Sequence, residues 1–456
     1  MVCRCPCRGE LSKEGRLLHL VTISLPVGAH IAGWRHPEAF HHTIGNLDAH
    51  IRMVEIAERG KFDAYFLADA NGTQFMDRPE MLRHNPPPFS PAPFEPVSLL
   101  SAAAMRTTHI GLVATVTTTF EEPYTVARKL GSLDVISNGR AGWNIVTSGY
   151  AQDAMNFSKG QVEHDTRYSR GSEFVDVAKG LWDSWSPDAF VQNIETGQFV
   201  DPDRVREIHH VGEYFQVKGP LNCPRSPQGR PILFHAGQSD PGRELAARVA
   251  DGVFFGATDK DIAKSIYDDI KARMAKYGRS PDELKMFCGI IAYAAGSADA
   301  ADAMLDELNQ LIPEDLGVKM LSEELEYDLS QHDIDDPMPI LPEDSNLIRS
   351  LRKIFNDRLR KTPMSIREFV RLIVPGLGHP IFKGSGVEVA DRMIEWYEHG
   401  SCDGFVVLGG LQPVGLENFV DHVVPELQRR GAFRTEYEGT TLREHLGLPM
   451  PKSHWD

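Results

Sequence analysis

Three polar side chains have the types and spacing needed to bind a phosphate group. His164 and Tyr168 are four residues apart beside a predicted helix, so one helical turn would bring both to the same side. Ser239 or Asp240 would cap a helix that starts at Pro241, and the free N–H groups of that helix, with the Ser239 hydroxyl, attract an anion. An ordinary helix cap and helix-start contact would use the same residues, and both interpretations stay open. Asp165 and Arg167, between the pair, are expected to point elsewhere.

Further polar residues follow predicted strands. Asp69 ends a Phe-Leu-Ala-Asp segment, Thr115 begins a threonine-rich stretch that runs to Thr119, and Asn144 stands near the end of an apolar run. Each is alone weak evidence, because Asp and Thr after a strand often form turns or cap helices. In a parallel barrel, however, residues after the strands converge on one mouth. We therefore expect these side chains to share one site.

The elements that would position these residues alternate between strands and helices. Eight short apolar runs of strand length are separated by patterns of helical period. These runs cover 18–25, 64–67, 110–116, 141–146, 231–236, 252–255, 285–294 and 404–408. Eight such repeats predict an α/β fold, a (β/α)8 TIM barrel, with long insertions after strands 4 and 7.

The chain divides into a tail, a barrel and an extension. We predict a flexible N-terminal tail over 1–17, the barrel over 18–435 and a C-terminal extension over 436–456. The insertion at about 299–383 has a largely helical pattern and is interpreted as a lid or contact region, with a separate helical domain as the alternative. The insertion after strand 4 is expected to be a loop with a small hairpin around 211–217.

Composition limits the classes of function. With 41% hydrophobic and 25% charged residues the chain is typical of globular proteins, and a net charge of -16 argues against nucleic-acid or membrane partners. No metal site is expected. The closely spaced Cys3, Cys5 and Cys7 lie in a tail without further ligands at zinc-finger spacing. The other cysteines are far apart, as in a reduced cytoplasmic protein.

Several motifs occur together in a specific order. They are Trp34-Arg-His-Pro37, Asn138-Gly-Arg-Ala-Gly-Trp-Asn-Ile-Val-Thr-Ser148, Asn156-Phe157, His164-x-x-x-Tyr168, Glu173-Phe174 and Ala236-Gly-Gln-Ser239. This set resembles the bacterial-luciferase-like flavin-dependent monooxygenases. The most similar branch contains the nitrilotriacetate, EDTA and dibenzothiophene-sulfone monooxygenases.

The resemblance implies a two-component FMN-dependent monooxygenase. Reduced FMN would come from a separate NAD(P)H-dependent flavin reductase and react with O2 to a C4a-peroxyflavin, which oxidises a C–N or C–S bond of a small organic substrate. It places Asp69 and Thr115 near the flavin ring, with His164, Tyr168 and Ser239 toward the ribityl chain and phosphate. Asn144 is a further candidate. Family members commonly form homodimers or homotetramers.

Two alternatives share the barrel. One is a deazaflavin-dependent oxidoreductase and the other is a non-catalytic flavin-binding subunit. The Trp143-Asn144 motif and the His164/Tyr168 pair favour FMN, and the set of intact polar positions favours an enzyme. No residue is assigned as the proton carrier. Aromatic and sulfur-bearing residues in the long loops are candidates for an apolar substrate pocket, namely Phe75, Met76, Phe89, Phe94 and Phe120.

Overall fold

A closed ring of eight parallel strands forms the centre of the computed structural model. The strands of the ring are β1 His19–Ile23, β2 Ala64–Leu67, β3 Gly111–Thr117, β4 Ala141–Val146, β7 Ile232–His235, β8 Gly252–Phe255, β9 Lys285–Ala295 and β11 Gly404–Gly409. β11 pairs with β9 on one side and with β1 on the other, which closes the ring. The predicted TIM barrel is confirmed. The structure describes residues 17–25, 27–40, 45–73, 76, 78–84, 94–149, 151–158, 160, 162–342, 355–356, 358–376 and 379–456.

Helices surround the barrel and follow its strands. They are α1 Leu47–Arg59, α2 Pro79–His84, α3 Pro96–Ala104, α4 Pro123–Ile136, α5 Ala151–Met155, α6 His164–Trp182, α7 Asp240–Val249, α8 Lys260–Met274, α9 Ala298–Gln310, α10 Glu314–Leu325, α11 Ile366–Ile373, α12 Gly386–Glu398, α13 Val414–Asn418, α14 Val424–Arg429 and α15 Leu442–His445. Within the described ranges, none of these helices is both long enough and apolar enough to cross a bilayer. The described side chains also include no group of three or more His, Cys, Asp or Glu that could hold a metal ion, and Cys3, Cys5 and Cys7 lie outside those residues.

Helix α6 begins earlier than the sequence pattern predicted. The helical sequence pattern starts near Ser169, but the helix begins at His164, and Glu163 is its N-cap residue. Asp165 in the first turn favours this start, because a carboxylate there interacts with the positive end of the helix dipole. As a result, His164 and Tyr168 both lie on the helix itself.

The barrel interior is packed with aromatic rings. Phe66 contacts Phe234 edge-to-face at 6.1 Å between ring centroids, and Phe234 lies 5.8 Å from Phe287. Successive side chains of a strand point to opposite faces. Because Val113 belongs to this inner cluster, Thr115 faces the inside of the barrel as well. The interior is therefore a filled core below the mouth.

The C-terminal segment closes the N-terminal end of the barrel. Leu442 and Leu446 pack into the same inner cluster as Val113 and Ile232. Arg434 bonds to the buried Asp63, which also contacts His19 at 3.0 Å. Through the two leucines, residues 436–456 form a plug beneath the strands, and Arg434 lies just before it.

The two insertions contain strands as well as helices and loops. The hairpin predicted after strand 4 is present as β5 His210–Val211 and β6 Gln216–Val217. The insertion after β9 was expected to be largely helical up to 383, yet β10 Ile381–Ser385 begins within it and pairs in parallel with 291–295 of β9. This five-residue strand alternates buried and solvent-facing side chains, a pattern too short to distinguish from a loop in the sequence.

Candidate active site

Tyr168 and Ser239 meet at the carboxyl end of β7. The Ser239 hydroxyl donates to the Tyr168 oxygen at 3.4 Å, and it accepts the Gly242 N–H at 3.3 Å as the N-cap of α7. The Tyr168 ring stands edge-on to His235 at 6.3 Å. The predicted hydroxyl pair therefore lies at a helix N-terminus, which is a favourable position for an anion.

His164 lies one helical turn before Tyr168. The two ring centroids are 4.9 Å apart, and the His164 Nδ1 is 3.0 Å from the Asp165 carboxylate. Arg167 donates to the Ser148 carbonyl at 2.9 Å, just past β4. The expectation that Arg167 points elsewhere is wrong, because its guanidinium reaches the loop after β4, whereas the Asp165 side chain is almost fully exposed to solvent.

Gly237 allows this cluster to pack closely. A Cβ atom at this position would lie 2.5 Å from His235 Nε2 and 3.0 Å from the Tyr168 oxygen. His235 Nδ1 donates to the Ile145 carbonyl at 2.9 Å, so Nε2 is the unprotonated acceptor of the neutral ring. Burial lowers the pKa of His235. Nε2 has no hydrogen-bond partner within the described part of the chain.

Thr115 and Asn144 form a second group inside the barrel. The Asn144 amide donates to the Thr115 hydroxyl at 3.0 Å, and both side chains are buried. Asn144 Oδ1 has no partner among the residues that the structure describes. The threonine that ends β3 is Thr117, not Thr115, and it pairs with Ser148 at 2.9 Å.

Asp69 lies in a third group after β2. Burial and the neighbouring carboxylates of Glu95 and Asp153 together raise its pKa to about 7, against the opposite effect of a backbone hydrogen bond from Ala70. Asp153, on α5, accepts backbone N–H groups of Asn71 and Gly72, which ties the segment after β4 to the loop after β2. A carboxyl that titrates near neutral pH can donate as well as accept a hydrogen bond.

Comparison with known proteins assigns the sequence to one family. The model of the family described as luciferase-like monooxygenase matches residues 27–400. The chain is 44% identical over 431 residues to N-acetyl-S-(2-succino)cysteine monooxygenase of Bacillus subtilis (strain 168), covering 94% of this chain and 96% of that protein. It is 43% identical to nitrilotriacetate monooxygenase component A of Aminobacter aminovorans, covering 97% and 98%.

This chain belongs to the luciferase-like monooxygenase family. It is an enzyme of that flavin-dependent family. The EDTA monooxygenase (EmoA) structure from Chelativorans sp. BNC1 aligns with a TM-score of 0.78 at 32% identity, covering 95% of this chain and 99% of that one. The predicted family resemblance is thus confirmed.

The candidate pocket residues of this luciferase-like monooxygenase have different surroundings. Phe120 stacks on Phe157 at 4.4 Å, and Phe94 meets His50 edge-on at 5.3 Å. Met76 is exposed. Phe75 and Phe89 lie outside the described residues. Among the loop candidates, Phe120 has the closest link to the site, because the threonines after β3 precede it.

Sequence reasoning missed a histidine that reaches the mouth from the late insertion. His379 stacks on Phe254 at 5.8 Å, and its Nδ1 lies 2.7 Å from where a Cβ of Gly289 would be. Burial lowers the pKa of His379. The Gly/Pro-rich segment around it signalled only a break between elements. No local pattern indicated that this ring packs against Phe254 of β8 and the middle of β9.

Proposed function

We propose that this monooxygenase binds reduced FMN, supplied by a separate NAD(P)H-dependent flavin reductase, and oxidises a C–N or C–S bond of a small organic substrate. The cluster of His164, Tyr168 and Ser239 at the start of α7 carries this proposal, because it combines hydroxyl and imidazole groups with a helix N-terminus. The relative named component A supports a separate reductase.

The residues present suit a flavin mononucleotide. Its phosphate requires several donors at one point, and the Tyr168 and Ser239 hydroxyls lie beside the first N–H groups of α7. Its ring requires hydrogen bonds in a largely apolar cavity, and Asn144 Oδ1 and His235 Nε2 are buried acceptors without partners in the described chain. Buried polar atoms normally have partners, so these two indicate a place for a ligand.

Each group has a distinct role in this proposal. Tyr168, Ser239 and His164 hold the phosphate and ribityl end, while Thr115 and Asp69 face the ring. The reduced cofactor supplies the electrons that activate O2. Because its pKa is raised to about 7, Asp69 can be neutral near that pH, and its carboxyl O–H can then donate a hydrogen bond. The aromatic interior beneath the mouth excludes water from below.

The relatives support the proposed substrate class. Two of them are named for N-acetyl-S-(2-succino)cysteine and nitrilotriacetate, compounds in which the carbon chain is bonded to sulfur or to nitrogen. We accordingly propose a small thioether or amine as substrate. We also expect a homodimer or homotetramer in solution.

The proposal is tested by coupled oxygen uptake. The purified protein, a flavin reductase, NADH, FMN and a panel of small thioethers and amines should give substrate-dependent product containing one oxygen atom from O2. Turnover with a reduced deazaflavin and no oxygen requirement would instead favour the alternative oxidoreductase. Flavin binding without turnover across the panel would favour a non-catalytic subunit.

Anaerobic titration with reduced FMN tests the phosphate cluster separately. Ser239→Ala and Tyr168→Phe should each weaken binding by about 1 to 3 kcal/mol through lost hydrogen bonds. Ser365→Ala is a matched control, because Ser365 caps α11 in the same way and lies in the late insertion. The control should lower the free energy of unfolding by the contribution of one helix cap and leave FMN affinity unchanged. Equal FMN affinity in all three variants would contradict the assignment.

A further inference from the structure

A basic cavity lies at the N-terminal end of the barrel, opposite the mouth. Its volume is about 580 Å³, and eight Lys or Arg side chains line it against three carboxylates. Arg230, Asp251 and Arg279 reach it from just before β7, β8 and β9, and the C-terminal plug contributes Arg443 and Lys452. This local excess of positive charge contrasts with the net charge of -16 of the whole chain.

The arginines of this cavity are fixed in position. Arg230 forms two hydrogen bonds to Asp251, at 2.7 and 3.1 Å. Arg248 likewise forms a bidentate pair with the Asp176 carboxylate. Arg279 donates to three backbone carbonyls at 2.9, 2.7 and 3.0 Å. Guanidinium groups held in this way lose little freedom on binding an oxyanion, which makes such a cavity pre-organised.

Lys179 lines the same cavity and differs from these arginines. The Lys179 ammonium group has no hydrogen bond or ion pair within the described ranges, although the side chain is mostly buried. Burial and the nearby Arg230 and Arg279 together lower the pKa of this amine to about 7, against the opposite effects of Asp251 and Asp176. An unpaired ammonium in such a place is costly without a counter-charge. It indicates a position for a bound anion.

We propose that this lower cavity binds a small molecule bearing phosphoryl groups, with Lys179 and the surrounding guanidinium groups as its ligands. The volume accommodates more than one phosphoryl group, and rigid guanidinium forks match phosphate oxygens. The site is separate from the mouth. It does not depend on flavin binding, so the failure of either proposal leaves the other testable.

Calorimetric titration with inorganic pyrophosphate tests the proposal on the full chain. The wild-type protein should bind it, and Lys179→Met should bind about tenfold more weakly or worse, while Lys179→Arg should retain most of the affinity. Lys264→Met is the control, because Lys264 pairs with Asp268 on the exposed side of α8. Thermal unfolding of each variant verifies that it is folded.

The FMN cluster could itself accept pyrophosphate, so a second arm separates the two sites. The double variant Tyr168→Phe, Ser239→Ala should keep the Lys179-dependent binding. Loss of binding in that double variant, or equal affinity of wild type and Lys179→Met, would overturn the proposal. Citrate binding as tight as pyrophosphate binding would overturn the phosphoryl class. If Lys179→Met fails to fold, crystals of the wild-type protein soaked in tungstate replace it. An electron-density peak for tungstate beside Lys179 supports the site, and its absence rejects the site.

Discussion

The two ends of the barrel contain similar residue types but differ in how these are paired. At the N-terminal end, Asp63 and Asp251 are buried and bonded to arginines of the barrel and the C-terminal plug. At the mouth, Asn144 Oδ1 and His235 Nε2 are buried without partners in the described chain, and Asp69 faces other carboxylates. Paired charges stabilise a fold, whereas unpaired polar groups are typical of a site that binds something else.

The N-terminal end should show the largest effect on stability. Asp251→Asn leaves Arg230 and Arg443 without their counter-charge in a buried place, so we expect a loss of about 3 to 5 kcal/mol in the free energy of unfolding. Denaturant unfolding at neutral pH measures it. Asp268→Asn, at an exposed helix pair, is the control, with an expected change below about 0.5 kcal/mol.

The pH dependence of the wild type sharpens the same prediction. The adjacent Arg230 and Arg443 hold the pKa of Asp251 below its ordinary value, although burial alone would raise it. Its contribution is therefore present above the unfolded pKa of about 4 and is lost as the pH falls below it. The difference in the free energy of unfolding between wild type and Asp251→Asn should therefore shrink in acid. A difference that stays constant would contradict this account.

The mouth should respond in ligand binding more than in stability. Gly237→Ala places a methyl group against His235 and Tyr168, so FMN affinity should fall about tenfold to a hundredfold. Anaerobic titration measures it. Gly180→Ala on α6 is the matched control, because its nearest neighbour would be 3.6 Å away. Equal affinity in both variants would show that the close packing at Gly237 is irrelevant to the ligand.

Lys179 is the exception at the N-terminal end, and its removal should stabilise the ligand-free protein. Lys179→Met should gain about 1 to 2 kcal/mol at pH 6. Because the folded pKa of about 7 lies below the unfolded value, the cost of the ammonium is full below pH 7 and disappears as the pH approaches 10. Thermal unfolding at pH 6 and pH 9.5 tests this; a variant less stable than wild type at pH 6 would contradict it.

Asp69 should give the smallest effect. Its folded pKa of about 7 exceeds the unfolded value, so the folded state loses stability as the pH rises from 4 to 7. Asp69→Asn should therefore be more stable than wild type by about 1 kcal/mol at pH 8 and equal to it at pH 4. Denaturant unfolding of the flavin-free protein measures both. If the two proteins differ in the free energy of unfolding by the same amount at both pH values, the Asp69 carboxyl does not cause the loss of stability between pH 4 and pH 7.

The barrel was predictable from local pattern because each strand is a short apolar run between helix-forming segments. Ser239 was predictable as a helix cap for the same reason, since a cap is a local feature. The proximity of Tyr168 to Ser239 followed only from the family resemblance and the barrel geometry. Family membership confirmed that resemblance, while the roles given to the five site residues stay predictions.

Other features depend on contacts between distant parts of the chain. His379 meets Phe254 across more than a hundred residues, and nothing in its neighbourhood indicates that contact. β10 is too short to recognise without its partner β9. Lys179 resembles any helix-surface lysine until the strands and the C-terminal plug surround it with arginines. Pairing partners of this kind are set by the tertiary structure alone.

The central claim is that the mouth of the barrel gathers one flavin site. A crystal structure of the protein with FMN tests it most directly. We predict the phosphate within about 3.2 Å of the Tyr168 and Ser239 hydroxyls, with the ring between Thr115, Asn144 and Asp69. FMN bound elsewhere, or a phosphate distant from both hydroxyls, would contradict it.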